Sequence, residues 1–402
     1  MSRLSRLARG VALALPLGLA GLVLPSAASS APATAVGPAV RPAVWPAVPL
    51  ANGGDGGVLL PAPSGRYPVG SDTLHLVDRS RPDPWVPAAG PRELMVSMFY
   101  PARPGPGPRA RYATIDEARL LLAAQGLADL VPAATFSGIR TNSRVGARPA
   151  PGRFPLVVLS PGLGAPRYTL TSLAEDLASR GYVIAAVDHA YESVGTAFPG
   201  GRLLTCVLCA AETEDQLRQG AVGRGRDVSF VLDQLTGRHP AWPYAGLIDR
   251  SRIGMAGHSY GGASALSAMA GDRRIRAGAN MDGAFHDPVA AAGLGGRPFL
   301  LLGTDAVHRP GGTDRSWDDT WPRLAGWKRW LTVAGADHNS FTDFSGLSGQ
   351  LGLPGPALPG DRAVRITRAY LAAFFDLHLK HIRQPLLAGP TPANPEVRFN
   401  NP

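Results

Sequence analysis

The chain has 402 residues, of which 45% are hydrophobic and 17% are charged. This is enough apolar material for one large domain with a buried core, and the low charged fraction is compatible with an exported protein. The formal net charge is +10, but the arginines that supply it are scattered and form no basic stripe interleaved with aromatic residues. We therefore expect no nucleic-acid partner, whereas transient contact with an anionic lipid surface stays open.

Residues 1–33 have the pattern of a cleaved secretory signal peptide. Three arginines stand within the first nine residues, and an apolar run follows from residue 11 to residue 24. Small residues come next, and we expect cleavage between positions 28 and 33. The apolar run is short for a membrane span and contains Pro16. The sequence therefore predicts a secreted protein.

Residues 34–64 are rich in Ala, Pro and Gly and predict a linker, followed by one catalytic domain over residues 65–402. Within that domain, strand-like and helix-like segments alternate, and several strands are continuous apolar runs typical of a mainly parallel sheet covered on both faces. The predicted strands are Glu93–Tyr100, Phe154–Ser160, Tyr182–Asp188, Arg252–Gly257, Ala277–Asp282, Pro298–Gly303 and Arg329–Val333. The predicted helices are Thr171–Arg180, Glu212–Leu235, Gly262–Met269 and Arg362–Lys380.

Two features between these elements have more than one interpretation. Ala118–Val131 carries an apolar stripe that either packs on the core, or borders an acyl pocket or dips into lipid. Cys206 and Cys209 are the only cysteines, and in an exported protein such a pair predicts a local disulfide. The short loop that it closes limits its contribution to stability through chain entropy.

The segment Gly257-His258-Ser259-Tyr260-Gly261 matches the G-x-S-x-G pattern of a nucleophile elbow. An apolar strand precedes it and a run of small residues suited to a tightly packed helix follows. A sharp strand-to-helix turn exposes the serine hydroxyl at a helix N-terminus, where developing negative charge is stabilised. We predict that Ser259 is a catalytic nucleophile in an α/β-hydrolase fold.

A serine nucleophile needs a histidine base and an acid that orients it, in the chain order Ser, acid, His for this fold. His338 follows the last predicted strand of the sheet and is the predicted base. Asp282 and Asp305 both end strands after the nucleophile, and spacing alone does not choose between them. His258, inside the elbow, is expected to point away from the site.

The oxyanion hole of this fold uses two backbone N–H groups, one from the residue after the serine and one from an early strand–helix loop. Tyr260 supplies the first. The loop Ser160–Gly164 follows an apolar strand and is suited to supply the second. Leu163 is the predicted donor, with Gly162 as the alternative.

Several motifs together resemble the secreted, plasma-type (group VII) platelet-activating factor acetylhydrolases and their bacterial lipase relatives. They are the stretch from SPGLG to AVDH, the elbow GHSYGG, AGANMDG and GADHNSFTDF, and the resemblance runs from about residue 65 to residue 379. In that family the acid follows the strand directly after the nucleophile, which favours Asp282 over Asp305. Related lipases and polyester-cleaving cutinases take the acid one strand later, where Asp305 lies.

The resemblance implies a secreted serine carboxylic-ester hydrolase that acts on short-chain acyl lipids or phospholipids through an acyl-enzyme. Leu163 and His338 match the family's oxyanion donor and base. The family uses no metal or other cofactor, and we expect a monomer whose partner is a small ester or lipid substrate. A lipase or cutinase-like polyesterase and a catalytically silent binding module are the alternatives.

Overall fold

The computed structural model describes residues 57–287 and 293–401. The predicted signal peptide and most of the predicted linker lie outside these residues. Within the described part of the chain, no helix is both long and apolar enough to cross a membrane.

The described residues form a large mixed sheet and one small hairpin. The strands are β1 Val69–Pro82, β2 Pro91–Pro101, β3 Arg109–Arg111, β4 Arg140–Val145, β5 Phe154–Ser160, β6 Val183–His189, β7 Thr196–Phe198, β8 Arg202–Leu204, β9 Ile248–His258, β10 Ile275–Met281, β11 Phe299–Thr304, β12 Lys328–Val333 and β13 Val397–Phe399. The large sheet has the order β13-β12-β11-β10-β9-β5-β6-β2-β1-β4-β3, and β7 pairs with β8.

Helices connect the strands and cover the sheet. They are α1 Ile115–Ala124, α2 Ala133–Ser137, α3 Thr171–Ser179, α4 Glu214–Thr236, α5 Tyr260–Gly271, α6 Asp305–His308, α7 Ser316–Thr320, α8 Asp343–Ser348 and α9 Gly360–Leu379. Helix α4 starts with a capping box between Thr213 and Gln216, which satisfies backbone N–H groups at its first turn.

The centre of the sheet is parallel, because β6, β5, β9, β10, β11 and β12 pair with their neighbours in parallel register. Strand β5 is buried along its whole length. Its alternate side chains divide between two cores: Leu156 and Val158 pack with α4 and α5, whereas Val157 and Leu159 pack with α3 and α9. Helices therefore lie on both faces, as predicted, and the α/β-hydrolase fold is confirmed.

The end of the predicted linker differs from its prediction. The Leu60 side chain is buried and its N–H donates to the Arg140 carbonyl at the β4 edge. Ser64 donates from its backbone N–H and its hydroxyl to Asp176 in α3. Residues 57–64 therefore lie against the domain, because their few apolar and polar groups find partners there in spite of the Pro- and Gly-rich composition.

Candidate active site

Ser259 lies alone between the end of β9 and the start of α5, in a strained backbone conformation. Its φ is 53° and its ψ is −125°, a region that non-glycine residues rarely adopt. The turn is tight enough that a Cβ atom at Gly257 would lie 2.1 Å from the backbone carbon of Gly261. A Cβ atom at Gly261 would lie 2.0 Å from the Ser160 carbonyl oxygen. Both glycines of the motif are therefore required by close packing of backbone.

The Ser259 side chain stands beside the loop after β5. A Cβ atom built on Gly162 would lie 3.7 Å from Ser259 Oγ, so backbone of this loop approaches the hydroxyl. Ser259 is partly exposed, and its N–H donates to the Met281 carbonyl at 2.7 Å. Ser259 is thus partly exposed, lies at a helix N-terminus and has the backbone of a second loop beside it. A helix N-terminus and a neighbouring backbone segment are the surroundings that can stabilise an oxyanion.

Asp282 and His338 are brought together by two different strand ends. Asp282 directly follows β10 with a positive φ of 59°, and its carboxylate is buried. Its Oδ2 atom lies 2.7 Å from His338 Nδ1, while half of the His338 side chain is exposed. A carboxylate on Nδ1 keeps the proton on that nitrogen and leaves Nε2 free to accept another.

His338 is joined to the Ser259 turn through His258. The two imidazole centroids are 4.5 Å apart, and His258 Nε2 donates to the His338 carbonyl oxygen at 2.8 Å. Burial, with the nearby His338, lowers the pKa of His258 to about 3, so this ring is neutral at physiological pH. The expectation that His258 points away from the site is therefore wrong: it contacts the backbone of the predicted base.

Of the two carboxylates that spacing left open, Asp282 is the one that contacts His338. Asp305, at the start of α6, accepts from the Thr332 hydroxyl at 2.8 Å and pairs with Arg398. Its carboxylate is thus engaged with side chains of β12 and β13.

A network of buried charges holds the loop after β5, and sequence analysis did not find it. Arg224 of α4 donates to the Pro161 carbonyl at 2.6 Å and to Glu192 Oε2 at 2.7 Å. Its guanidinium also lies over the Tyr260 ring, 4.7 Å from the centroid. Glu192 in turn accepts at its backbone carbonyl from Gly164 at 2.9 Å. Arg224 therefore touches both segments that carry the predicted oxyanion donors, Leu163 and Tyr260.

The predicted disulfide is present, with Cys206 and Cys209 Cα atoms 5.4 Å apart. It borders the same loop, since a Cβ atom at Gly164 would lie 3.4 Å from Cys209 Sγ.

The apolar stripe of Ala118–Val131 packs on the core. Leu121 and Leu127 are buried in a core cluster, and Leu130 packs against that cluster.

Within residues 57–287 and 293–401, no group of three or more His, Cys, Asp or Glu side chains is placed to bind a metal ion.

Comparison with known proteins gives one matching family and several relatives. The family described as platelet-activating factor acetylhydrolase, isoform II, matches residues 110–199 and 243–354. The chain is similar to the probable 1-alkyl-2-acetylglycerophosphocholine esterase of Arthroderma benhamiae, at 29% identity over 85% of this chain and 93% of that protein. It is also similar to the platelet-activating factor acetylhydrolase of Cavia porcellus, at 25% identity over 63% of this chain and 64% of that protein.

Among solved structures, the chain is similar to a ferulic acid esterase from Streptomyces cinnamoneus. The TM-score is 0.76 and the sequence identity is 44%, over 86% of this chain and 99% of that chain. This likeness therefore extends over almost the whole of the solved enzyme.

Proposed function

Because the chain belongs to the platelet-activating factor acetylhydrolase, isoform II, family, we propose that it hydrolyses short-chain acyl esters through Ser259, His338 and Asp282. The resemblance seen in the motifs is confirmed at the level of the family, and the chain is a carboxylic-ester hydrolase. The observation that carries the proposed chemistry is the strained, accessible Ser259 turn adjoining the 2.7 Å contact between Asp282 and His338. A catalytically silent binding module would not need such strain.

In the proposed mechanism, Ser259 Oγ attacks the ester carbonyl while His338 Nε2 takes its proton. Asp282 holds the proton on Nδ1 and stabilises the imidazolium that forms. The N–H groups of Leu163 and Tyr260 bind the oxyanion. His338 then protonates the departing alcohol. In the second half, His338 takes a proton from water, the resulting hydroxide attacks the acyl-enzyme carbonyl, and the bond to Ser259 Oγ breaks as His338 returns the proton to that oxygen and the free acid leaves.

Two substrate classes are supported by different observations. The Arthroderma and Cavia relatives are named for cleavage of an acetylated ether phospholipid, which favours acetyl and other short acyl groups. The solved relative with 44% identity is a ferulic acid esterase, which favours hydroxycinnamoyl esters as the second candidate.

We also propose that the enzyme is exported. The signal-like pattern of residues 1–33 motivates the proposal, and the Cys206–Cys209 disulfide supports it because disulfides persist mainly in oxidising compartments.

Covalent labelling with a fluorophosphonate tests the mechanism and the location together. We expect the labelled protein in the culture medium, with the adduct on Ser259, and no label or ester hydrolysis in Ser259→Ala. Ser251→Ala is the matched control, because Ser251 is an exposed serine at the other end of the same strand. Normal turnover by Ser259→Ala would refute the mechanism, and label retained inside cells would refute export.

A substrate panel then separates the candidates. It compares an acetylated ether phospholipid, ethyl ferulate, nitrophenyl esters of increasing chain length and a soluble terephthalate ester, by kcat/KM on the same enzyme preparation. We expect acetyl and other short acyl esters to lead. A preference for ethyl ferulate would support the second candidate, and a preference for long chains or terephthalate would support the lipase or cutinase alternative.

A further inference from the structure

The Asp282 carboxylate faces a second imidazole besides that of His338. Asp282 Oδ1 lies 2.8 Å from His308 Nδ1 and accepts from the Thr304 N–H at 2.6 Å. Asp282 Oδ2 makes the 2.7 Å contact with His338 Nδ1. The two oxygens of one buried carboxylate therefore serve two different histidines.

His308 is held between two carboxylates in a nearly closed environment. Only 4% of its side chain is exposed, and its ring stacks on Trp317 at a centroid distance of 4.2 Å. Its Nε2 atom lies 3.0 Å from Asp314 Oδ2, and Trp330 Nε1 donates to its carbonyl oxygen at 2.6 Å. Trp317 therefore packs on one face of the ring, and a carboxylate lies within 3.0 Å of each ring nitrogen.

This geometry matches an imidazolium rather than a neutral ring. A neutral imidazole has one N–H, so one of its nitrogens would direct a lone pair at a carboxylate oxygen. With both nitrogens protonated, the ring donates to Asp282 and places its positive charge 3.0 Å from Asp314 Oδ2, an ion-pair contact whose angle falls outside hydrogen-bond geometry. Burial lowers the pKa of His308, but the carboxylates of Asp282 and Asp314 outweigh it and raise this pKa to about 9.

The charges around His308 come from a small set of elements. Asp282 after β10 and Asp314 before α7 are negative, and His338 lies on the far side of Asp282. The packed residues of α7 and β12, Trp317 and Trp330, are uncharged. The imidazolium therefore balances one of two carboxylates, and the cluster carries about the charge of a single acid.

We propose that His308 is a positioning residue of the catalytic triad, an inference that rests on the proposed function. Its cationic ring fixes Asp282 Oδ1 so that Oδ2 remains aimed at His338.

Two substitutions separate the charge of His308 from its hydrogen bond. His308→Asn keeps an uncharged N–H donor near the position of Nδ1, toward Asp282. His308→Gln keeps an amide near the position of Nε2, toward Asp314, and withdraws the donor from Asp282. Both variants remove the positive charge, but only His308→Asn keeps a side-chain donor to Asp282 Oδ1.

The two variants should differ in kcat. His308→Gln should lose more kcat than His308→Asn, because only it removes the side-chain donor to Asp282 Oδ1 and leaves that oxygen with the Thr304 N–H alone. Both losses should stay well below the roughly 10⁴-fold loss expected when a triad acid is replaced by its amide, and KM should change little. Equal kcat in the two variants at equal folded fraction would overturn the proposal, since a purely structural histidine would not distinguish them.

A measurement on the unaltered enzyme covers the case in which neither variant folds. Nitrogen-15 NMR of the histidine rings at pH 7 should show one buried imidazole, assigned to His308, with both nitrogens protonated. A neutral His308 ring would overturn the proposal. Wild-type enzyme whose Ser259 takes no fluorophosphonate would instead refute the proposed function, so the two failures are distinguishable.

Discussion

Two parts of this protein contain a serine, a histidine and an aspartate, and only one has the other features of an active site. In the first, Ser160 Oγ lies 3.1 Å from His189 Nε2, and His189 Nδ1 lies 2.7 Å from Asp227 Oδ2. This is the hydrogen-bond order of a catalytic triad. The second is the site of Ser259 and the Asp282–His338 pair. The presence of these three residue types close together therefore does not by itself identify the chemistry.

The two parts differ in access and in backbone. Ser160 is fully buried within a regular strand, and Asp227 is shared with Arg92, so substrate cannot reach that hydroxyl. Ser259 sits on a strained turn in partial contact with solvent, next to a helix N-terminus. A nucleophilic hydroxyl must be accessible to the substrate and must lie beside an oxyanion site as well as a base. We interpret the Ser160 cluster as structural support for the loop after β5.

The buried histidines of the two parts also differ in charge. Burial, together with the Arg224 guanidinium, lowers the pKa of His189, and Asp227 only partly offsets this. His308 is similarly buried but faces carboxylates at both nitrogens, and its pKa is raised to about 9. Neighbouring charge, rather than burial, thus decides which buried histidine carries a proton.

The largest difference between the two parts is expected when Asp282 and Asp227 are each replaced by asparagine. Asp282→Asn should lower kcat by roughly 10⁴-fold, because an amide cannot hold the required tautomer of His338. Asp227→Asn should instead lower the free energy of unfolding by about 3–5 kcal/mol, since it leaves the buried Arg92 short of a counter-charge. Folded Asp227→Asn protein should retain most of its activity. Urea unfolding and kcat per folded molecule measure the two effects.

Asp305→Asn is the matched control for the acid. Asp305 pairs with the exposed Arg398, so its substitution should cost at most about 1 kcal/mol of stability and little activity. A larger loss of kcat in Asp305→Asn than in Asp282→Asn would show that the acid lies one strand later than proposed.

The central elements of the fold could be predicted from the sequence because their signal is local. Phe154–Ser160 has the predicted bounds, since a continuous apolar run between turn residues leaves few other assignments. Strand β1, Val69–Pro82, was not among the strands predicted from the apolar pattern. It lies toward the sheet edge and mixes polar and apolar residues, with burial that alternates irregularly, and its antiparallel pairing with β2 depends on residues far along the chain.

The candidate site could be predicted only as far as its motifs reach. The elbow names Ser259, and chain order selects His338 as its partner. The contact of Asp282 with His338 depends on how β10 and β12 end in space, which spacing does not encode. Arg224 and His308 gave no signal, because an arginine in a long helix and a histidine in a loop acquire their roles only through distant partners.

A smaller effect on catalysis is expected from Arg224, which belongs to the network of buried charges that holds the loop after β5. Arg224→Met removes the donor to the Pro161 carbonyl and the cation over Tyr260. We expect kcat to fall by about tenfold, less than the roughly 10²–10³-fold loss for a direct oxyanion donor, with KM changed little. Steady-state kinetics on a soluble short-chain ester measure both constants.

Arg81→Met is the matched control for Arg224→Met. Arg81 pairs with Asp227 in the same charge cluster but touches neither Pro161 nor Tyr260 through any bond that we observe in the described residues. Equal losses of kcat in the two arginine variants would contradict the proposal that Arg224 supports the loop after β5. The buried charges would then affect activity only through the stability of the fold.

A pH dependence of stability is expected to have opposite signs at the two histidines, His308 and His189. Unfolded histidine titrates near 6.5. His308, raised to about 9, stabilises the fold fully below about pH 6.5, and this contribution is lost as pH rises toward 9. His189 is lowered, so the unfolded chain binds its proton more readily and stability falls as pH drops below about 6.5. Unfolding free energies of wild type and His308→Asn should therefore converge between pH 6.5 and 9, with the acid side of the two curves parallel. A wild-type curve that does not approach the variant on the alkaline side would mean that His308 carries no proton to lose.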